Sequence, residues 1–66
     1  DGDSWNFRFR TNAERTIQIF DAAGRIVVSA TSSDELFSAS SLGLSEGVYI
    51  YKISEGSKVY SGKLIK

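Results

Sequence analysis

Gly47-Val48-Tyr49-Ile50-Tyr51-Lys52-Ile53-Ser54-Glu55-Gly56-Ser57-Lys58-Val59-Tyr60-Ser61-Gly62-Lys63-Leu64-Ile65-Lys66 decides the fold. Two runs rich in β-branched and aromatic residues flank Glu55-Gly56-Ser57, a tight-turn signature. The stretch reads as a β-hairpin, with strands over residues 47–54 and 58–66. From Val48 to Tyr51 the first run is apolar on both faces, so it is expected to lie centrally. In the second run, Val59, Ser61, Lys63 and Ile65 share one face, and Tyr60, Gly62 and Leu64 share the other. Chain ends are ordinarily polar and frayed. A patterned strand here is expected to be needed by the fold or read by a partner.

The same pattern extends upstream. Trp5, Phe7 and Phe9 alternate with Asn6, Arg8 and Arg10, which predicts a half-buried strand over residues 4–10. Residues 11–14 form a polar turn. Residues 15–20 form a second strand with Ile17 and Ile19 inward. Asp21-Ala22-Ala23-Gly24 is a hairpin loop: Asp caps a turn with its own side chain, and Gly accepts positive φ. Residues 25–31 return as a strand carrying Ile26, Val27 and Val28. Residues 29–46 are crowded with Ser and Thr. They predict a short edge strand near 35–38 and then an irregular connection; Ser33 or Asp34 could instead cap a brief helix over 33–37. The expected fold is all-β: a small antiparallel Ig-like β-sandwich of about six or seven short strands, in a single domain spanning residues 1–66.

Composition narrows the chemistry. A chain of 66 residues buries only about 60% of its unfolded surface. It has no Cys and no His, so it has no disulfide and lacks the commonest general base and metal ligand. Stability must come from apolar packing, with Trp5, Phe7, Phe9, Phe20, Phe37, Tyr49, Tyr51 and Tyr60 as its expected bulk. The absence of Cys suits a cytosolic protein and equally an exported module. No run has the length of a transmembrane helix, and no signal-peptide pattern is present. Opening on Asp1 favours a piece of a longer precursor.

The net charge is zero but unevenly placed. Residues 1–50 hold four Arg against four Asp and three Glu, a net −3. Residues 51–66 hold four Lys against Glu55, a net +3. A neutral chain has no global pull on nucleic acid or anionic membrane. Lys on an edge strand is a common guard against aggregation, and it can also meet an acidic partner.

Candidate sites fare unevenly. Without His or Cys, nucleophilic catalysis would need Ser with Lys or a carboxylate pair. The serines sit in turn-like stretches, no G-x-S-x-G elbow is present, and Asp21 would meet Asp34 or Glu35 only by an accident of the fold, so catalysis is not expected. Asp1-Gly2-Asp3 invites a calcium reading, but a Ca²⁺ ion needs roughly six to eight oxygens; a solvated terminus is expected there. Phe7-Arg8-Phe9-Arg10 interleaves rings and cations as single-strand nucleic-acid platforms do. On a strand, however, the rings face the core and the cations face solvent. Tyr49, Tyr51 and Tyr60 suggest a sugar-stacking surface, against the simpler reading of core rings with hydroxyls at the rim.

Three segments taken together resemble the C-terminal sorting domain of the type IX (Por) secretion system of Bacteroidota. Residues 16–27 look like that family's strand–Asp–x–x–Gly–Arg/Lys–x–Val hairpin, carried here by Asp21, Gly24, Arg25 and Val27. Residues 44–50 look like its Leu-x-x-Gly-x-Tyr segment, carried by Leu44, Gly47 and Tyr49. Lys63-Leu64-Ile65-Lys66 looks like its terminal Lys–apolar–apolar–Lys/Arg ending. The family's aromatic-Pro-Asn-Pro opening is absent, since the chain has no Pro.

The resemblance implies a fragment of a larger secreted precursor, taken to the periplasm and then to the outer-membrane surface or the medium. Its partners would be the type IX translocon and a sortase-like peptidase, with no nucleic acid, membrane insertion, metal, cofactor or catalysis of its own. On this reading Lys63, Leu64, Ile65 and Lys66 meet the translocon, while Asp21, Gly24, Arg25, Val27, Leu44, Gly47 and Tyr49 maintain the fold. An exposed last strand would also permit a homodimer by strand exchange in isolation. The competing expectation is an adhesive or carbohydrate-binding β-sandwich of a surface protein.

Overall fold

A computed structural model describes residues 4–66. The Asp1-Gly2-Asp3 segment lies outside the described residues. Six strands follow one another: β1 Ser4–Arg8, β2 Arg15–Phe20, β3 Ile26–Ser32, β4 Leu36–Ser40, β5 Val48–Glu55 and β6 Lys58–Ile65. They form two antiparallel sheets. One has the order β3-β2-β5-β6 and the other is the pair β1-β4. The architecture is the expected small Ig-like sandwich.

Each turn has a local cause. Glu55 pairs with Lys58 across a two-residue loop, and Gly56 supplies the positive φ of 61° that a tight hairpin requires. Between β2 and β3, Ile19 pairs with Val28 and Phe20 with Ile26, so Val27 is an extra residue. This bulge lets Val27 and Val28 both pack against the core.

The expected edge strand exists, at Leu36–Ser40. The alternative helix over residues 33–37 does not form. Leu36 and Phe37 pair with Arg8 and Phe7, and Phe9 N–H donates to the Glu35 carbonyl at 2.7 Å. A single helical turn would give those two apolar residues no such partners, and one turn alone is unstable. β1 ends at Arg8, two residues earlier than its alternation suggests.

The core is small. Ile17, Ile19, Ala39, Tyr49 and Ile53 are buried. Rings join the two sheets across it: Trp5 lies 5.2 Å from Tyr49, and Phe7 meets Tyr51 edge-on at 5.3 Å. Tyr49 is the one aromatic among the buried core residues; Trp5, Phe7, Phe37 and Tyr51 are half-buried around the cluster.

β5 lies inside its sheet, between β2 and β6, as its apolar run suggests. Its outer face is not covered, however. Val48 and Ile50 remain 43% and 42% exposed. In the register, Ile50 stands opposite Phe20 and Lys63, Phe20 opposite Ile26, and Val48 opposite Ile65. One end of this solvent face therefore carries an apolar patch.

Candidate functional site

The three sequence motifs converge on one end of the sandwich. Asp21 organises the β2–β3 turn. Its Oδ1 accepts from the Ala23 and Arg25 backbone N–H groups, both at 2.9 Å, and its Oδ2 accepts from Arg25 Nε at 3.1 Å. These donors, led by the Arg25 backbone N–H, hold the Asp21 carboxyl below the usual carboxylate range although partial burial opposes them. Gly24 completes the turn at φ 90°. Arg25 stays largely exposed, so its ion pair with Asp21 is worth little beyond the turn itself.

The second motif lies against the first. Asp21, Arg25, Val27, Leu44, Gly47 and Tyr49 border a shared cleft of about 410 Å³. Tyr49 is buried, and its hydroxyl donates to the Ser45 carbonyl at 2.5 Å. That bond fixes the loop entering β5 and removes Tyr49 from any exposed sugar platform. Gly47 adopts φ 148°, which side chains rarely accept, while a Cβ there would meet no neighbour. The backbone conformation alone requires glycine.

The third motif clasps the second. Gly47 and Lys66 exchange both backbone hydrogen bonds at 3.0 Å. The Lys66 ammonium Nζ donates to the Leu44 carbonyl at 2.8 Å and to the Ser41 carbonyl. Leu64 packs on the core. Lys63 and Ile65 point the other way and are exposed, Ile65 by 65%. The four residues thus divide: Leu64 and Lys66 anchor the end, and Lys63 and Ile65 present it beside Val48 and Ile50.

The backbone of β6 offers a second feature. Gly47 and Lys66 form a doubly bonded pair, and such pairs alternate along an antiparallel ladder. Lys58, Tyr60, Gly62 and Leu64 therefore turn their backbone groups toward β5, and Val59, Ser61, Lys63 and Ile65 turn theirs outward. No described strand pairs with that outer edge. The Ile65 carbonyl accepts the Trp5 indole N–H at 3.3 Å, which ties β1 to the end of β6.

Sequence reasoning missed Arg15. Its side chain is fully buried. Nη1 donates to the Asp34 carbonyl and Nη2 to the Thr11 carbonyl, both at 2.8 Å. Nη2 and Nε also reach Glu55 Oε2, at 3.1 and 3.3 Å. The guanidinium lies 3.9 Å above the Phe9 ring. The strict alternation of Arg15 with Ile17 and Ile19 already placed it on the inner face, and this was the signal available.

Among the described residues no group of His, Cys, Asp or Glu could hold a metal ion. No described helix is long and apolar enough to cross a membrane. The site so defined is a clasped strand end beside an exposed apolar patch.

A family described as "Secretion system C-terminal sorting domain" matches residues 3–66. The chain belongs to this family, the C-terminal sorting domains of type IX secretion. Its role is that of a sorting signal, and a protein that carries it is exported. A search of the curated proteins finds no match.

Proposed function

We propose that this domain is the C-terminal tail of a larger exported precursor and that the type IX translocon reads it at Lys63, Leu64, Ile65 and Lys66. The observation that carries the reading is the division of that segment. Lys66 and Leu64 are pinned, so Lys63 and Ile65 are displayed in a fixed geometry beside the exposed Val48 and Ile50. A preordered surface loses little entropy on binding. An ammonium beside an apolar patch gives both steering and contact area. On this reading the precursor crosses the periplasm, the translocon passes it through the outer membrane, and a sortase-like peptidase removes the tail. The cargo then stays on the surface or enters the medium. The tail supplies no catalysis.

The test places residues 1–66 behind a signal peptide and a fluorescent reporter in a bacterium with a working type IX system. The full tail should carry the reporter to the surface or the medium. A Lys63→Glu/Ile65→Ser variant, altered only at exposed positions, should leave the reporter in the periplasm. Export of the variant at the parental level would refute recognition through these side chains.

A further inference from the structure

The sandwich is open along one side. Its second sheet has only two strands, and beside β6 the two layers part to leave a cleft of about 450 Å³. Phe7, Tyr51 and Tyr60 give it an apolar lining, with Tyr60 still 49% exposed. Arg8, Arg10 and Lys58 stand around it as cations with no carboxylate partner among the described ion pairs. Glu55, the one acidic residue of the lining, is taken by Arg15. Against the cleft runs β6, with the backbone groups of Val59, Ser61 and Lys63 directed outward.

We propose that this side of the domain accepts an extended acidic segment of a partner protein as an added strand on β6. The backbone supplies the ladder, as in other strand additions. Alternate side chains of an added strand fall on the Tyr60 face, at the mouth of the cleft, where apolar groups can enter. Its carboxylates meet Arg8, Arg10 and Lys58. Charge decides against the obvious rival, a second copy of the same edge. In an antiparallel pairing centred on Gly62, Lys58 would stand opposite the partner copy's Lys66, and like charges directly opposite are destabilising. The proposal does not rest on the sorting role, and its test involves no export.

The probe is a synthetic eight-residue peptide, the length of β6, alternating Val or Phe with Glu. The purified domain, labelled with ¹⁵N, is titrated and its amide exchange followed. The acidic peptide should shift and protect the Val59, Ser61 and Lys63 amides. It should bind about tenfold more tightly than the same peptide with Lys in place of Glu, the scale of a few exposed ion pairs. Ser61→Pro removes one outward N–H without touching the β5 ladder, a position where edge strands tolerate Pro, and should abolish binding. Should that variant unfold, Arg8→Glu/Arg10→Glu serves instead and should erase the preference for the acidic peptide. Equal binding of both peptides, protection elsewhere on the domain, or no shift at millimolar peptide overturns the proposal. So does protection of the same amides without peptide together with a dimer by light scattering, which would make a second copy the occupant.

Discussion

Replacing Arg15 by Ala should nearly unfold the domain. The guanidinium joins β2 to the Thr11 turn, to Asp34 before β4, and to Glu55 at the end of β5. Its removal strands two carbonyls and one carboxylate that is three-quarters covered. Breaking a buried pair from one side costs about 3–5 kcal/mol. Water can reach Glu55 in part, which favours the lower end, about 3 kcal/mol. A domain of this size has roughly 3–10 kcal/mol in total. Urea unfolding can be followed through Trp5, the single Trp, whose ring packs on Tyr49. With a slope of about 1 kcal/mol per molar, the midpoint should fall by about 3 M, or vanish. Glu55→Ala in the same background should lose much less than it does alone, because the two residues act as one unit. A fall below about 1 M for Arg15→Ala would refute the reasoning, since it would mean that water replaces the guanidinium at little expense.

Other perturbations probe the remaining contacts. Lys66→Ala removes charge-assisted bonds to two carbonyls and should destabilise by about 2 kcal/mol, seen as faster amide exchange at Gly47. Gly47→Ala forces a side chain into φ 148° and should lose about 1–3 kcal/mol by thermal melting. Gly62→Ala places a Cβ within 2.5 Å of Tyr51 Cε2 and Cζ; it should destabilise by about 1–3 kcal/mol and shift the Tyr51 ring signals. Asp21 has a folded pKa below its unfolded value of about 3.9, so its contribution is complete above that value and is lost as the pH falls through the lower, folded pKa. The Ala23 and Arg25 amide shifts should therefore move in acid below about pH 4, and Asp21→Asn should abolish that movement.

Legibility followed locality. The hairpins β2–β3 and β5–β6 were evident because their signals lie within a few residues: Asp21 and Gly24 in one turn, Gly56 in the other, β-branched runs on each side. The inner faces of β1 and β2 were equally plain from alternation. The partner of β1 was not. Phe7 pairs with Phe37 thirty residues away, and nothing in either segment announces the other. Residues 33–40 were ambiguous for the same reason, since short Ser-rich runs acquire strand character only from a partner. At the candidate site, the residue types of the 63–66 segment were readable but their division of labour was not. That Lys66 reaches back to the Ser41 and Leu44 carbonyls depends on a loop whose path no local pattern fixes. Arg15 shows the opposite failure: its inward position was readable, but a cation at an apolar position was passed over because its acceptors are divided between the nearby Thr11 turn and two distant segments, at Asp34 and Glu55.

The bond from the Trp5 indole to the Ile65 carbonyl spans sixty positions of the chain, and the Lys66 clasp lies one residue further on. Neither contact can form without residues 65 and 66. Structures dominated by such distant pairings also fold slowly. Closure of the sandwich therefore depends on residues 65 and 66 as much as on its buried core. A chain lacking residues 63–66 has the hairpin turn and most of the core but no closure between β1 and β6. In such a chain Trp5 and Gly47 lose the partners that hold them to β6, so two sheets with most of their core intact would still part at one corner.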